Sequence, residues 1–123
     1  MTTPVRGDIW WVNSDPIEGH EQAGRRPALV LSADTFNRGP QRLVVVAPMS
    51  RTLRSVPLHV RCDPKDCGPR TTLRDPGMIR CDQIRTVALD RFLDAASAGH
   101  VTPSIMSKVE VAVRALLMLP ENP

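Results

Sequence analysis

The chain of 123 residues is 41% hydrophobic and 24% charged, an ordinary globular mixture for one domain with a buried core. No apolar run reaches membrane-spanning length, no signal-peptide pattern opens the chain, and neither repeats nor low-complexity segments occur. We therefore expect one domain over residues 1–123 in the cytoplasm, without membrane contact.

The three cysteines, Cys62, Cys67 and Cys81, are consistent with that compartment. Their odd number and their spacing fit neither a disulfide framework nor a zinc site. A metal site at Cys62 and Cys67 would lack two further soft ligands. We expect reduced thiols and no bound metal.

The basic residues are unevenly distributed, although the net charge is only +3. All but two of the 16 basic residues are arginine, whose planar fork matches phosphate oxygens better than lysine does. The interval from Asn37 to Cys62 has no acidic residue and contains Arg38, Arg42, Arg51, Arg54 and Arg61. This arginine strip indicates a polyanionic partner, and a solvated surface is an equally good interpretation. With two Phe, two Trp and no Tyr, the chain has no aromatic platform for stacking single-stranded bases.

The first half of the chain predicts three strands. A strand over Asp8–Asn13 contains Trp10 and Trp11, one of which should face the core and the other a partner or solvent. The pattern then predicts a long loop over Ser14–Arg26, a strand over Pro27–Ser32, one helical turn over Ala33–Arg38 and a buried strand over Leu43–Met49.

The second half predicts further strands and then helices. A polar loop over Ser50–Ser55 leads to a strand over Val56–Cys62, a turn over Asp63–Pro69, a short strand over Thr71–Leu73, a long strand over Met78–Val87 and a helix over Ala88–Ala98. The final helix begins with Thr102 as its cap and Pro103 in its first position. Strands followed by helices predict an α+β domain with a small, strongly curved antiparallel sheet or barrel and a C-terminal helix.

Groups that can move protons or hold a phosphate are concentrated in the first long loop, which contains His20, Glu21, Arg25 and Arg26. Pro27 opens the next strand and keeps Arg26 out of the right-handed helical conformation. Arg26 therefore lies at a restrained corner, which suits a catalytic or phosphate-binding arginine. An ordinary surface ion pair is the equal alternative.

The long C-terminal strand is polar at its centre, where Arg80, Asp82, Gln83 and Arg85 lie. In a continuous strand, alternation puts Arg80 and Asp82 on one face, and Gln83 and Arg85 on the other. Arg80 and Asp82 would then be direct neighbours. Taken alone, this segment favours a structural ion pair at a sheet edge.

Several separated motifs together resemble one known family. In chain order they are Gly19-His20-Glu21-Gln22, Arg26-Pro27 before a valine-rich strand, Phe36-Asn37-Arg38, and Arg80-Cys81-Asp82-Gln83 with Arg85-Thr86. They resemble the MazF/PemK/Kid family of toxin ribonucleases, and the last motif is closer to the Kid/PemK branch. The resemblance extends from about Arg6 to Val87 and more loosely through the final helix.

The resemblance implies a Kid/CcdB-like fold, related to SH3 barrels, and a homodimeric toxin of a type II toxin–antitoxin system. The implied activity is sequence-specific, metal-independent and cofactor-free cleavage of single-stranded RNA such as mRNA. The implied partner is a cognate antitoxin with an acidic, partly disordered C-terminal tail. Two alternatives stay open, a non-enzymatic toxin of the gyrase-inhibitor type on the same fold and an inactive module that binds RNA or a partner.

The resemblance also implies roles for individual residues. His20, Arg80 and Asp82 match the catalytic set of the Kid branch. Arg26 and Ser50 match an arginine and a hydroxyl of the MazF branch, where threonine is usual at the second position. The residues implied to bind RNA are Glu21, Gln22, Arg25, Arg38, Arg51, Thr52, Arg54, Gln83 and Arg85. The segment 73–76 is an insertion relative to Kid-type members, so the recognised RNA sequence does not carry over.

The implied chemistry uses the 2′-hydroxyl of RNA as the nucleophile. A base takes its proton, an acid protonates the leaving 5′-oxygen, and a cation stabilises the phosphorane. By resemblance Asp82 is the base, and Arg26 and Arg80 stabilise charge because a guanidinium is a poor proton donor. His20 is then the acid, since an imidazole titrates near neutral pH. The reverse assignment of His20 and Asp82 stays open.

Overall fold

The computed structural model describes residues 2–13 and 24–121. Seven strands form one antiparallel sheet, β1 (Asp8–Asn13), β2 (Arg25–Val30), β3 (Leu43–Ser50), β4 (His59–Cys62), β5 (Gly77–Arg80), β6 (Arg85–Ala88) and β7 (Gly99–His100). The strand order is β4-β5-β3-β2-β1-β7, and β6 pairs with β3 next to β5. The predicted α+β class with a curved antiparallel sheet is confirmed.

Two α-helices accompany the sheet, the single turn α1 (Asp34–Asn37) and the C-terminal helix α2 (Pro103–Leu117). The predicted start of the final helix is confirmed. The Thr102 side chain accepts a hydrogen bond from the backbone N–H of Ile105 at 3.4 Å, and Pro103 occupies the first helical position. No helix within residues 2–13 and 24–121 is long and apolar enough to cross a membrane.

Neighbouring residues along each strand point to opposite sides of the sheet, and each side is covered by its own buried cluster. One face packs under α2 through the cluster that includes Ile9, Leu29, Ala47, Ile79, Ile105 and Val109. The other face forms a second cluster that includes Trp10, Val12, Val30, Val44, Val87 and Phe92. The rings of Trp10 and Phe92 meet edge to face, 5.8 Å between centroids.

The predicted strand over Met78–Val87 is wrong, because a 3₁₀ turn (Cys81–Gln83) divides it into β5 and β6. The register explains the break. On this edge of β3 the pairs are Met49 with Ile79 and Val46 with Arg85. The two residues of β3 between these pairs therefore lie opposite the five residues 80–84. The surplus residues cannot stay in the ladder and fold outward as a turn.

The predicted helix over Ala88–Ala98 is also wrong. Its first residues form one 3₁₀ turn (Leu89–Arg91), and the segment then follows β1. The N–H of Leu93 donates to the carbonyl of Trp11, and the N–H of Ala98 donates to that of Ile9. These backbone groups bond to the sheet instead of to each other, and β7, which the sequence did not indicate, continues this pairing along β1.

Two smaller predictions fail for local reasons. Residues 71–73 form no strand, because Thr71 instead bonds through its side chain to the carbonyl of Ala98 at 2.8 Å. The strand predicted from Val56 begins only at His59, since Leu58 has a left-handed backbone with φ of 68° that interrupts an extended run. By contrast, β2 begins at Arg25, two residues earlier than predicted.

Candidate functional site

A cleft of about 560 Å³ opens where β2 begins and β3 ends. The strands are antiparallel, so continuing two residues from the pair Ala28–Pro48 brings Arg26 level with Ser50. The segment 72–77, which leads into β5, closes the opposite wall. We call this the arginine cleft, because its lining includes Arg25, Arg26, Arg51 and Arg74.

Three of these arginines, Arg26, Arg51 and Arg74, are exposed and have no ion-pair partner within residues 2–13 and 24–121. Asp75 is the one carboxylate among the described residues of the lining. Uncompensated guanidinium groups that converge on one cavity are the arrangement that phosphate oxygens bind.

Arg25 is held in place by two neighbours. Its guanidinium lies 5.1 Å from the ring centroid of Trp11 and donates to Asp94 at 3.1 Å. The prediction that one tryptophan faces the core is confirmed, since Trp10 is buried and Trp11 is half-buried at the cleft. Trp10 is therefore not part of any exposed apolar surface.

The Ser50 hydroxyl lies at the cleft and orders the start of the following loop. Its Oγ accepts a hydrogen bond from the backbone N–H of Thr52 at 3.1 Å. This bond leaves the hydroxyl proton of Ser50 able to donate to another acceptor, such as a phosphate oxygen.

The predicted arginine strip does not form one surface. Arg42 and Arg51 flank the two ends of β3, which has eight residues and therefore spans about 25 Å. Arg42 donates to Asp90 and Arg61 donates to Asp63, each at 2.9 Å. Arg51 is the member of the strip that lines the cleft, where it joins Arg25 and Arg26 of β2 and Arg74 of the segment before β5.

The 3₁₀ turn between β5 and β6 carries the second group of predicted site residues. The turn buries Cys81 and exposes Asp82 and Gln83, so the alternation predicted for a continuous strand is wrong here. Burial, together with the nearby Asp82 carboxylate, raises the pKa of Cys81 to about 11.

Asp82 is paired with a residue that the sequence did not indicate. The Nε2 atom of His59 lies 2.8 Å from Oδ1 of Asp82. Among the described residues no ion pair joins Arg80 to Asp82, and Nε of Arg80 is buried without a hydrogen-bond partner. The neighbour relation predicted for Arg80 and Asp82 is therefore replaced by a histidine from the adjacent strand.

The two groups of predicted residues do not share the lining of the arginine cleft. Arg80 and Asp82 are not among the residues that line the arginine cleft. Arg26 also lines a small cleft of about 40 Å³ with Arg85 and Pro48. Arg38 follows α1 on the surface, and Arg54 is exposed in the loop after β3. His20, Glu21 and Gln22 lie outside the described residues.

Two members of the site were missed at the level of the sequence, His59 and Arg74. Arg74 lies in the insertion, and its place in the cleft is visible only once β5 is paired with β3. His59 stands opposite Arg80 in the β4–β5 ladder, so only the register brings it to Asp82.

The cysteines are free thiols, as predicted. The sulfur atoms of Cys62 and Cys67 are 3.3 Å apart and buried, and their contact, together with burial, raises the pKa of Cys62. Within residues 2–13 and 24–121 no three His, Cys, Asp or Glu side chains cluster in a way that could hold a metal ion.

Comparison with known proteins identifies the family. Residues 5–117 match the family described as the PemK-like, MazF-like toxin of type II toxin-antitoxin system. The chain belongs to this family. The curated relatives include Endoribonuclease PemK of Escherichia coli, 44% identical over 85% of this chain and 74% of the relative. Endoribonuclease EndoA of Bacillus subtilis (strain 168) is 32% identical over 93% of this chain and 94% of the relative.

Solved structures agree with the family assignment. An endoribonuclease from Mycobacterial species, in complex with its cognate antitoxin, superposes with a TM-score of 0.71 at 26% identity and covers 99% of this chain and 100% of that chain. The resemblance to the MazF/PemK/Kid family is confirmed, and the similarity to PemK is consistent with the Kid/PemK branch. The relatives support the ribonuclease interpretation over the gyrase-inhibitor alternative.

Proposed function

We propose that this protein is a toxin endoribonuclease that cuts single-stranded RNA at short sequences through attack by the 2′-hydroxyl. The observation that carries the proposal is the arginine cleft, in which Arg26, Arg51 and Arg74 face one cavity without ion-pair partners among the described residues. Membership in a family whose curated relatives are named endoribonucleases supports the same activity.

In this proposal the protein binds the RNA phosphates electrostatically and recognises the RNA bases specifically. The three arginines hold successive phosphates, and the Ser50 hydroxyl donates to a phosphate oxygen. Arg74 and Asp75 come from the insertion that distinguishes this chain from Kid-type proteins, and both line the cleft. Their guanidinium and carboxylate groups suit the acceptor and donor edges of bases.

Cleavage in this proposal divides the chemistry among four side chains. Asp82 takes the proton of the 2′-hydroxyl, whose oxygen then attacks the adjacent phosphorus. Arg26 and Arg80 stabilise the negative charge of the phosphorane, which needs fixed cations close to the reacting phosphate. His20 supplies the proton to the leaving 5′-oxygen, and its position lies outside the described residues.

The test of the mechanism is a single substitution in the RNA. The products of 2′-hydroxyl attack carry a 2′,3′-cyclic phosphate and a 5′-hydroxyl. An RNA with deoxyribose on the 5′ side of the scissile bond should bind nearly as well and stay uncut. Cleavage of that RNA at the normal rate contradicts the proposal, and so does complete loss of activity in EDTA.

We further propose that the chain acts as one toxin domain, forms a homodimer and works in the cytoplasm against a cognate antitoxin. An apolar groove of about 400 Å³ beside α2 and the exposed side chains of Val111, Leu117, Met118 and Leu119 give a surface for a second copy. Because Trp10 is buried, the dimer surface we propose uses α2 without it. A monomer mass by light scattering in dilute solution would contradict the proposed homodimer.

The antitoxin tail, being acidic, should compete with RNA for the arginine cleft. Reversing charge with Arg51→Glu and Arg74→Glu should weaken the binding of both RNA and antitoxin. The shared-cleft model fails if RNA binding falls while antitoxin affinity stays unchanged.

A further inference from the structure

The imidazole of His59 forms a hydrogen bond with the Asp82 carboxylate. Nε2 of His59 lies 2.8 Å from Oδ1 of Asp82, and the side chain of His59 is only 12% exposed while that of Asp82 is 38% exposed. An ionised carboxylate only accepts hydrogen bonds, so Asp82 acting as the base requires the tautomer of His59 in which Nε2 carries the proton and donates. The imidazole is thus on the protein side of the pair, and the carboxylate is on the solvent side.

The backbone fixes this geometry. The N–H of Cys81 donates to the carbonyl of Leu58 at 3.0 Å, which ties the 3₁₀ turn to the residue before β4. Leu58 adopts the left-handed conformation, and His59 then begins the strand opposite Arg80. Cys81 is also buried, so both its backbone and its side chain anchor the residue before Asp82.

A second histidine–aspartate pair in the chain has the opposite character. Nδ1 of His100 lies 2.9 Å from Oδ1 of Asp8, but here the aspartate is 13% exposed and the histidine 57%. Oδ2 of Asp8 also accepts from the N–H of Val5 and from Nε1 of Trp10. Three donors fill this carboxylate, whereas His59 is the one described residue that donates to Asp82.

We infer that His59 is a positioning residue that fixes the Asp82 carboxylate for proton transfer. This inference rests on the proposed function, in which Asp82 is the base. Oδ1 is engaged by His59, so Oδ2 is the atom that takes the proton of the 2′-hydroxyl. The 2′-oxygen then bonds to phosphorus, the bond from phosphorus to the 5′-oxygen breaks, and that oxygen takes a proton from the acid.

The test measures steady-state cleavage of a short fluorescent RNA by the full-length protein with three substitutions. His59→Phe keeps a ring but removes the donor, and should lower kcat by about 10- to 100-fold with little change in KM, because a misplaced catalytic group loses rate rather than binding. His59→Gln places an amide N–H near the position of Nε2 and should restore most of the rate. His100→Phe is the matched control and should leave kcat and KM unchanged.

The outcomes separate this inference from the proposed function. If the wild-type protein does not cut RNA, or if Asp82→Asn cuts normally, the proposed function fails. If the wild type is active and Asp82→Asn is not, a His59→Phe protein with the normal kcat overturns the inference alone. A His59→Gln protein as slow as His59→Phe also overturns it, because the hydrogen bond would not be what matters.

One measurement needs no variant at His59, which is mostly buried. Nitrogen-15 NMR of the imidazole side chains reports which ring nitrogen carries the proton. We expect the proton on Nε2 of His59 in the wild type and a changed Nε2–H resonance in Asp82→Asn. A neutral His59 ring protonated only on Nδ1 overturns the inference.

Discussion

The arginine cleft leaves its charged side chains exposed, whereas the 3₁₀ turn holds the Asp82 carboxylate in a hydrogen bond. In the cleft, Arg26, Arg51 and Arg74 are exposed and have no ion-pair partner in the described part of the chain. In the turn, Asp82 is held by His59, and the turn is anchored to the start of β4. One region offers charge to solvent, and the other restrains a single carboxylate.

The difference follows from what each region is proposed to do. A flexible polyanion needs several cations within reach, and long arginine side chains adapt to it without a fixed geometry. Proton transfer needs one oxygen within hydrogen-bond distance of one hydroxyl, so a restrained carboxylate is worth more than a mobile one. Substitutions of Arg51 and Arg74 should therefore affect affinity, and substitutions in the turn should affect rate.

The largest expected effect is on the rate, from Asp82→Asn. We expect cleavage to slow by about 10²–10⁴-fold, as is typical when a general base is lost, with RNA affinity nearly unchanged. Single-turnover cleavage and fluorescence anisotropy measure the two quantities. Asp90→Asn, at an exposed carboxylate paired with Arg42, is the control and should cut normally. If Asp82→Asn lost RNA affinity by as large a factor as it lost rate, the assignment of rate to the turn and of affinity to the cleft would be wrong.

Arg26 lines the arginine cleft and gives the next largest effect, because the proposed function assigns it a part in cleavage as well as in binding. Arg26→Lys keeps the charge but loses the planar fork, and we expect the cleavage rate to fall by roughly 10²–10³-fold, as for other removed charge stabilisers. Arg61→Lys, in an exposed ion pair with Asp63, should be neutral. Full activity of Arg26→Lys would make Arg26 a simple point charge and would remove it from the catalytic set.

The sequence predicted the strands that have regular local patterns, but not the pairing between them. The strand over Asp8–Asn13, the valine run of β3 and the Thr102–Pro103 start of α2 all came out as expected. The break at Cys81 did not, because it depends on how many residues of β3 lie opposite residues 80–84. That number belongs to the register, which no local window of the sequence contains.

The candidate site, too, could be predicted only where it depends on the local sequence. Arg26 was predicted from its neighbour Pro27, and the Arg80–Asp82 motif from its family resemblance. The arginine strip was predicted from sequence distance, and the structure puts Arg42 and Arg51 at opposite ends of β3. His59 became visible only through its position opposite Arg80. Residues that act across strands need the ladder, whereas residues next to a proline or in a motif do not.

Cys81 offers a way to loosen the turn without touching its polar residues. Burial raises its pKa from 9.0 to about 11, so between these values the unfolded chain releases the thiol proton and the folded chain keeps it. The unfolded state then binds fewer protons, and the free energy of unfolding falls as pH rises, by at most about 3 kcal/mol from this group. Urea unfolding at pH 8 and pH 10.5 measures the fall.

The control for this prediction is the same pH series with Cys81→Ala. The pair Cys62 and Cys67, in which the pKa of Cys62 is raised and that of Cys67 is lowered, is present in both proteins and cancels in the comparison. The variant should lose less, and the difference between the two slopes isolates Cys81. Equal slopes would show that the thiol under the turn ionises as freely in the folded protein as in the unfolded one.

The smallest effect should come from a single arginine of the cleft. Arg51→Ala removes one proposed phosphate contact, and we expect RNA affinity at low salt to fall roughly tenfold, since a hydrogen bond to a charged group contributes about 1.5 kcal/mol or more. The slope of log affinity against log salt should also fall in magnitude by about 0.7, the value for one phosphate contact on a single strand. The cleavage rate at saturating RNA should change little, because among the described residues no ion pair joins Arg51 to the turn, whose Asp82 is paired with His59. Arg42→Ala is the matched control, since Arg42 is the arginine before β3, paired with Asp90, and should leave both affinity and slope unchanged. Equal losses from Arg51→Ala and Arg42→Ala would mean that RNA follows the whole arginine strip rather than the cleft.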